Sequence, residues 1–65
     1  MNMDTGIVKF LIIDKGFGFI TDDETKQDFY FHVSGVNGDV VDGDKVKFEV
    51  VESPKGLKAI DISKL

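Results

Sequence analysis

The sequence predicts an all-β domain that closes into a small barrel. Short runs alternate apolar and polar residues, are rich in β-branched and aromatic side chains, and are separated by Gly, Asp, Asn and Pro. Five such runs in 65 residues would leave two exposed edges if they formed a flat sheet, and closure into a barrel removes those edges. A sandwich is disfavoured, because it usually needs about seven strands and about 100 residues.

The length and composition limit what the chain can be. At 65 residues and 7.2 kDa, it has room for a single domain, residues 1–65, of modest stability. It has no cysteine, which excludes disulfides and thiolate metal sites and is compatible with the reducing cytosol. The longest apolar run, residues 10–13, is too short to span a bilayer. We therefore expect a cytoplasmic protein with no membrane partner.

Five runs are predicted to be strands, and the turn-forming residues between them predict turns. The strands cover residues 7–13, 17–21, 28–33, 45–50 and 57–62, with turns at residues 14–16, 22–27 and 53–56. Residues 34–44 contain the turn dipeptides Asn37-Gly38 and Asp42-Gly43, so we expect a connecting loop there.

Alternation in the last two runs predicts part of the core. Val46, Phe48 and Val50 share one face of the fourth run, with charged residues on the other face. Ile60 and Ile62 are predicted to share a face of the fifth run. We expect both sets to point into the barrel.

The third run has one apolar face and one face with polar groups. Phe29, Phe31 and Val33 lie on one side, whereas Tyr30 and His32 lie on the other. Because a hydroxyl and an imidazole prefer access to water, the first three are predicted to be core residues and the last two to be exposed.

The second run places two phenyl rings on one face. The side chains of Phe17 and Phe19 share one face of this strand, and Ile20 lies on the other face. One hairpin register puts both rings beside Tyr30 and His32 in water, the other buries them, and alternation alone does not decide between the two. Ile20 needs a core position, which favours the exposed arrangement. An exposed aromatic patch of this kind calls for a partner.

Two segments resemble a known family. Lys15-Gly-Phe-Gly-Phe-Ile20 is similar to the first ribonucleoprotein motif of the bacterial cold-shock proteins, and Phe29-Tyr-Phe-His-Val-Ser34 is similar to the second. The resemblance implies an all-β, five-stranded antiparallel OB-type barrel, the cold-shock domain, with the aromatic residues exposed. It also implies binding of single-stranded RNA or DNA with little sequence specificity, often as an RNA chaperone. We expect a monomer without cofactor or metal.

The resemblance also implies a set of binding residues. Nine residues match positions at which the family contacts nucleic acid: Lys9, Phe10, Lys15, Phe17, Phe19, Tyr30, His32, Lys55 and Lys58. The chain departs from the family where Phe10 replaces the usual tryptophan, Leu11 replaces an aromatic residue and Val33 replaces a base-stacking phenylalanine. Lys55 replaces a frequent arginine and so loses a planar stacking surface. These departures imply fewer stacked bases.

The net charge of −4 and the sequence pI near 4.6 argue against attraction of nucleic acid by overall charge. Stacking on an aromatic ring contributes about 1–3 kcal/mol per base, so the four rings of Phe10, Phe17, Phe19 and Tyr30 can outweigh that charge. Most acids lie in loops, where salt screens them beyond a Debye length of about 8 Å. The sequence therefore predicts binding mainly by stacking.

Other functions have weaker support. One histidine, His32, two residues before Ser34 is too little evidence for a catalytic site, so we expect no enzyme activity. The spacing of Asp39, Asp42 and Asp44 matches no EF-hand. The alternative is a protein-interaction module, in which the same aromatic patch binds a polypeptide and the net charge repels nucleic acid.

Overall fold

The computed structural model describes residues 3–65, and Met1 and Asn2, the first residues of the predicted domain, lie outside the described residues. Its strands are β1 (Asp4–Ile12), β2 (Phe17–Asp22), β3 (Asp28–His32), β4 (Val36–Asn37), β5 (Lys45–Ser53) and β6 (Gly56–Lys64). A 3-10 turn, Val33–Gly35, precedes β4. The five long strands correspond to the predicted runs, whereas β4 lies in the segment predicted as a loop. Within residues 3–65, no helix has the length and hydropathy that crossing a membrane would need.

The strands close into a barrel. Strand β2 pairs antiparallel with β1 and β3, and β5 pairs antiparallel with β1 and β6. The ring closes where β3 meets β6 in parallel, with Tyr30 opposite Lys58. The short β4 pairs further along β6, with Val36 opposite Ile62. The predicted five-stranded all-β barrel is confirmed, and its closing contact is parallel.

The barrel interior is filled by apolar side chains from every long strand. The buried hydrophobic residues of the described chain are Val8, Ile20, Phe29, Phe31, Val40, Val46, Phe48, Ala59 and Ile62. The rings of Phe29 and Phe48 pack with centroids 6.0 Å apart. Burial of this apolar surface supplies the main stabilisation of the fold. The predicted core positions Ile20, Phe29, Phe31, Val46, Phe48 and Ile62 are confirmed, and Val50 is partly buried and packs against them.

Two core predictions are wrong, each for a local reason. Val33 is 39% exposed, because the chain leaves β3 after His32 and enters the 3-10 turn, where alternation no longer applies. Ile60 and Ile62 do not share a face. Ala59 and Ile62 are the buried pair, and Ile60 is only partly buried.

A β-bulge interrupts the alternation of inward and outward side chains in β6. Lys47 pairs with Ser63 but Glu49 pairs with Ile60, so two residues of β6 stand opposite the single residue Phe48. Asp61, one of the two, has a φ of 54°. A bulge inserts one residue and shifts the alternation of the strand beyond it. The β6 side chains on the two sides of the bulge therefore follow opposite parities.

A second bulge lies in β1 and positions a candidate site residue. Val8 pairs with Ile20 and Phe10 pairs with Phe19, which leaves Lys9 as the extra residue. Val8 is buried, so strict alternation would point Phe10 into the barrel as well. The bulge turns Phe10 outward instead, beside Phe19.

Gly18 allows β1 and β2 to approach closely at the centre of the barrel wall. A Cβ atom added at Gly18 would collide with the carbonyl oxygen of Phe10 and lie 3.0 Å from Cε1 of Phe31. Real Cβ atoms rarely come that close to backbone, so any larger residue must push the strands apart. The interleaved glycine thus serves closure of the barrel.

We predict that Gly18→Ala lowers the free energy of unfolding by about 1–3 kcal/mol, because the methyl group meets backbone that cannot yield. Urea denaturation followed by circular dichroism measures the change. Gly35→Ala is the matched control, since its added Cβ has ordinary contacts of 3.6 Å or more and Gly35 has no positive φ. Equal stability of the two variants would contradict this role for Gly18.

Candidate nucleic-acid interface

Four aromatic side chains lie together on the outside of strands β1, β2 and β3. Phe10 pairs across the strands with Phe19, and Phe19 pairs with Tyr30, while Phe17 occupies the next outward position of β2. The Phe10 and Phe19 centroids are 5.4 Å apart, and Phe17 stacks on Tyr30 at 5.8 Å with an interplanar angle of 28°. We call these four residues the aromatic face.

The aromatic face is outside the core. Tyr30 is 38% exposed and the three phenylalanines are only partly buried, whereas Ile20, the next residue after Phe19, is fully buried. The hairpin register that exposes the rings is therefore the observed one, and the alternative that buries Phe17 and Phe19 is wrong. Phe17 and Tyr30 each meet the ring of Phe19 edge to face, at centroid distances of 6.5 Å and 6.1 Å. Such packing stabilises the cluster and leaves ring surface accessible.

His32 extends the aromatic face at the end of β3, where it pairs with Phe17. Its Nδ1 accepts a hydrogen bond from the backbone N–H of Ser34 at 3.1 Å, and the Ser34 hydroxyl lies 2.9 Å from the same atom. A backbone N–H only donates, so Nδ1 carries no proton and the neutral ring holds its proton on Nε2. His32 therefore presents a hydrogen-bond donor.

A groove adjoins the aromatic face on the side of the β5–β6 turn. It has a volume of about 560 Å³, and Phe19, Tyr30, Lys55 and Lys58 are among the residues that line it. Lys58 reaches this place because it pairs with Tyr30 at the parallel contact that closes the barrel. The structure thus brings two of the predicted lysines beside two of the predicted rings.

The other two predicted lysines have different surroundings. Lys15 is exposed in the turn between β1 and β2, two residues before Phe17. Lys9 donates from Nζ to Oδ2 of Asp28 at 2.9 Å, and Asp28 also lines the groove. The pKa of Asp28 lies below its ordinary value because the Lys9 ammonium donates to its carboxylate, and the Thr21 hydroxyl, which donates to Oδ1, lowers it further. Asp28 is thus ionised at neutral pH, and Lys9 is paired with it.

Sequence reasoning missed four residues that line the groove: Asp28, Ser53, Pro54 and Leu57. A signal for Asp28 was present, because it has the same strand parity as Tyr30 and His32 and therefore shares their face. Leu57 is 47% exposed, and its place beside the aromatic face follows only from the pairing of β6 with β3. Sequence patterning does not reveal that long-range contact.

The acidic loop residues serve the fold. Asp42 Oδ1 accepts from the backbone N–H of Leu11 at 2.9 Å, and Asp44 Oδ2 accepts from that of Val41 at 2.9 Å.

In the part of the chain that the structure describes, no group of three or more His, Cys, Asp or Glu side chains is arranged to hold a metal ion.

Comparisons with known proteins identify the family and the fold that this chain resembles. A model of the 'Cold-shock' DNA-binding domain family matches residues 4–65. The chain is 45% identical to the cold shock-like protein CspA of Stigmatella aurantiaca over 64 residues, covering 92% of this chain and 94% of that protein. It is 36% identical to the major cold shock protein of Micrococcus luteus over 67 residues, covering 97% of this chain and all of that protein.

A solved structure also matches. The chain superposes on a structure described as Drosophila Unr CSD456 with a TM-score of 0.82 and 28% sequence identity. The match covers 98% of this chain and 27% of that chain.

We predict that His32 is in the Nε2–H tautomer. The chain has a single histidine, so a long-range ¹H–¹⁵N spectrum of the imidazole in alkaline buffer, where imidazoles are neutral, reports this ring alone. We expect Nδ1 at the position of an unprotonated nitrogen, and Ser34→Ala should preserve it because the backbone N–H remains. The urea-unfolded chain is the control for an unrestrained ring. A protonated Nδ1 in the folded protein would contradict the hydrogen bond.

Proposed function

Because the chain belongs to the 'cold-shock' DNA-binding domain family, whose members are non-enzymatic nucleic-acid binders, we propose that it binds single-stranded RNA or DNA by stacking bases on the aromatic face. The observation that carries the proposal is the outward placement of Phe10, Phe17, Phe19 and Tyr30 on three adjacent strands. Stacked bases contribute about 1–3 kcal/mol each, before the cost of ordering the strand.

A single strand fits this surface better than a duplex. Bases in a duplex are stacked on each other, so their faces are not free to contact protein rings, whereas a single strand exposes them. The chain contains no arginine to read guanine edges, and residues 3–65 contain no recognition helix. Ring stacking tolerates any base, so we expect little sequence specificity.

Lysines are proposed to hold the phosphates beside the stacked bases. The positions of Lys55 and Lys58 in the groove and of Lys15 in the exposed β1–β2 turn support this role, and His32 offers a further donor. Lys9 first has to leave Asp28, or contact the strand together with it. Attraction from a few lysines is short-ranged in physiological salt, so the rings supply most of the affinity.

We propose that the chain acts as a single-domain monomer in the cytoplasm, as an RNA chaperone or a regulator of transcription or translation. A protein that covers a few exposed bases with low specificity prevents those bases from pairing, which opposes weak RNA secondary structure. This role needs no cofactor, metal or catalytic residue.

We predict that Phe17→Ala and Phe19→Ala each weaken binding of a fluorescently labelled heptathymidine about 10-fold or more, because each change removes a stacking surface. Fluorescence anisotropy at low salt measures the affinity. Both variants should remain folded, with a loss of about 1 kcal/mol from the missing ring contacts.

Phe48→Ala is the matched control for the effect on stability. Phe48 is a fully buried phenylalanine, so its truncation should cost about 3–5 kcal/mol of stability, well above the loss expected for the two exposed rings. Unchanged affinity in folded Phe17→Ala and Phe19→Ala, or no binding by the native chain, would contradict the proposed function. The second result would favour the interpretation in which the aromatic face binds a polypeptide.

A further inference from the structure

The short strand β4 is attached to the barrel through the side chain of Asn37 as well as through its backbone. Nδ2 of Asn37 donates to Oδ1 of Asp61 at 2.8 Å and to the Ser63 hydroxyl at 3.2 Å. Both residues of β4 also pair with β6, Val36 with Ile62 and Asn37 with Ser63. A strand this short opens at low cost in free energy, so the two side-chain hydrogen bonds contribute much of its attachment.

The partner of the Asn37 amide is a carboxylate at the β6 bulge. Asp61 is one of the two bulge residues and has a φ of 54°, which Asp tolerates better than most residues. An ionised carboxylate only accepts hydrogen bonds, so it requires a donor opposite it. The contact therefore depends on an amide at position 37, and a carboxylate there would meet Asp61 as a like charge.

Asn37 precedes Gly38, and this dipeptide can lose the side-chain amide without an enzyme. The backbone nitrogen of Gly38 attacks Cγ of Asn37 and closes a cyclic imide, while the Cγ–Nδ2 bond breaks. Nδ2 leaves as ammonia with the proton that the Gly38 nitrogen gives up through water. Water then opens the imide to aspartate or, where the other C–N bond breaks, to isoaspartate, so that one water is taken up and one ammonia released.

Gly38 leaves the path of this attack open. A glycine has no side chain to hinder the approach of its nitrogen, and Gly38 has a φ of 94°. In the described chain, no residue beyond its two neighbours lies within 4 Å of a Cβ added there. Asn37 is itself exposed, so water, the other reactant, reaches it.

In the closed form of β4, the hydrogen bonds of Asn37 oppose the reaction. The attacking nitrogen and Cγ must approach to about 3–3.5 Å, which requires the Asn37 side chain to turn back along its own backbone toward Gly38. Such a rotation carries Nδ2 away from Asp61 and Ser63 and breaks both hydrogen bonds. Release of this side chain from β6 therefore limits the reaction.

We propose that Asn37 is a deamidation site controlled by the opening of β4, and that the reaction prevents β4 from closing again. The product has a carboxylate that faces Asp61 and has no hydrogen to donate to it. Isoaspartate also inserts an extra carbon into the backbone at a residue that pairs with β6. Because ammonia is lost to solvent, the change does not reverse. The reaction needs neither nucleic acid nor a second protein.

The rate of deamidation tests the control by β4. The full chain is incubated in mildly alkaline buffer, and the gain of about one dalton is located by mass spectrometry of peptides, which separates Asn37 from Asn2, the other asparagine. We expect the folded chain to react about 10-fold more slowly than the chain unfolded in guanidinium chloride. Equal rates, or no reaction at Asn37 in the unfolded chain, would overturn the proposal.

A pair of variants links that rate to the Asp61 contact. Asp61→Gly removes the acceptor and tolerates the positive φ, so the folded variant should react about 3-fold faster or more. Asp14→Gly is the matched control, because it removes the same charge from another exposed turn and should leave the rate unchanged. Equal rates for the two variants would contradict control by this contact.

Exchange of the two side chains tests the consequence of the reaction. Asn37→Asp mimics the aspartate product, and we expect the backbone amides of β4 and of its partners in β6 to exchange hydrogen about 10-fold faster, while core amides are unaffected. Addition of Asp61→Asn restores a carboxylate–amide pair with the roles reversed, so protection should return. Unchanged exchange in Asn37→Asp, or no recovery in the double variant, would overturn the proposal.

Discussion

The register between β2 and β3 determines the character of the whole surface. Phe17 pairs with His32 and Phe19 with Tyr30, so four outward side chains meet while Ile20 and Phe29 meet inside. A shift by one residue would exchange the two sets, placing a hydroxyl and an imidazole in the core and leaving apolar side chains in water. Burial of the inward set therefore stabilises the register, and the register assembles the aromatic face.

Two bulges adapt this alternating pattern to the barrel. Alternation and turn residues predicted all five long strands and the outward direction of Tyr30 and His32, because those signals are local. They did not predict that Phe10 points outward, or that Ala59 rather than Ile60 shares the core with Ile62, because a bulge changes parity without a distinct sequence signal. The resemblance to the cold-shock proteins did include Phe10 in the site.

The geometry of the candidate site was predicted best where strands that follow one another in sequence form it. The β1–β2–β3 hairpins place the rings, and hairpin pairing follows from sequence order. The β3–β6 contact brings Lys58, Leu57 and the turn at Lys55 to Tyr30, and it joins segments about thirty residues apart, which patterning does not reveal. Asp28 was missed for another reason, since a carboxylate at the first residue of a strand has, apart from its parity with Tyr30, no sequence signal that distinguishes it from the acids of the loops. It lies in the groove itself and pairs with Lys9.

An acidic protein that binds nucleic acid has to attract it locally, and the proposed function assigns that attraction to the rings of the aromatic face rather than to charge. Proton NMR of heptathymidine during titration with the chain tests this account most directly. Stacking on the rings predicts that the base H6 and methyl resonances of the oligonucleotide move upfield through ring-current shielding as the complex forms. Saturable binding with unshifted base resonances, and with protein shifts confined to lysines, would show that phosphate contacts hold the strand and would contradict it.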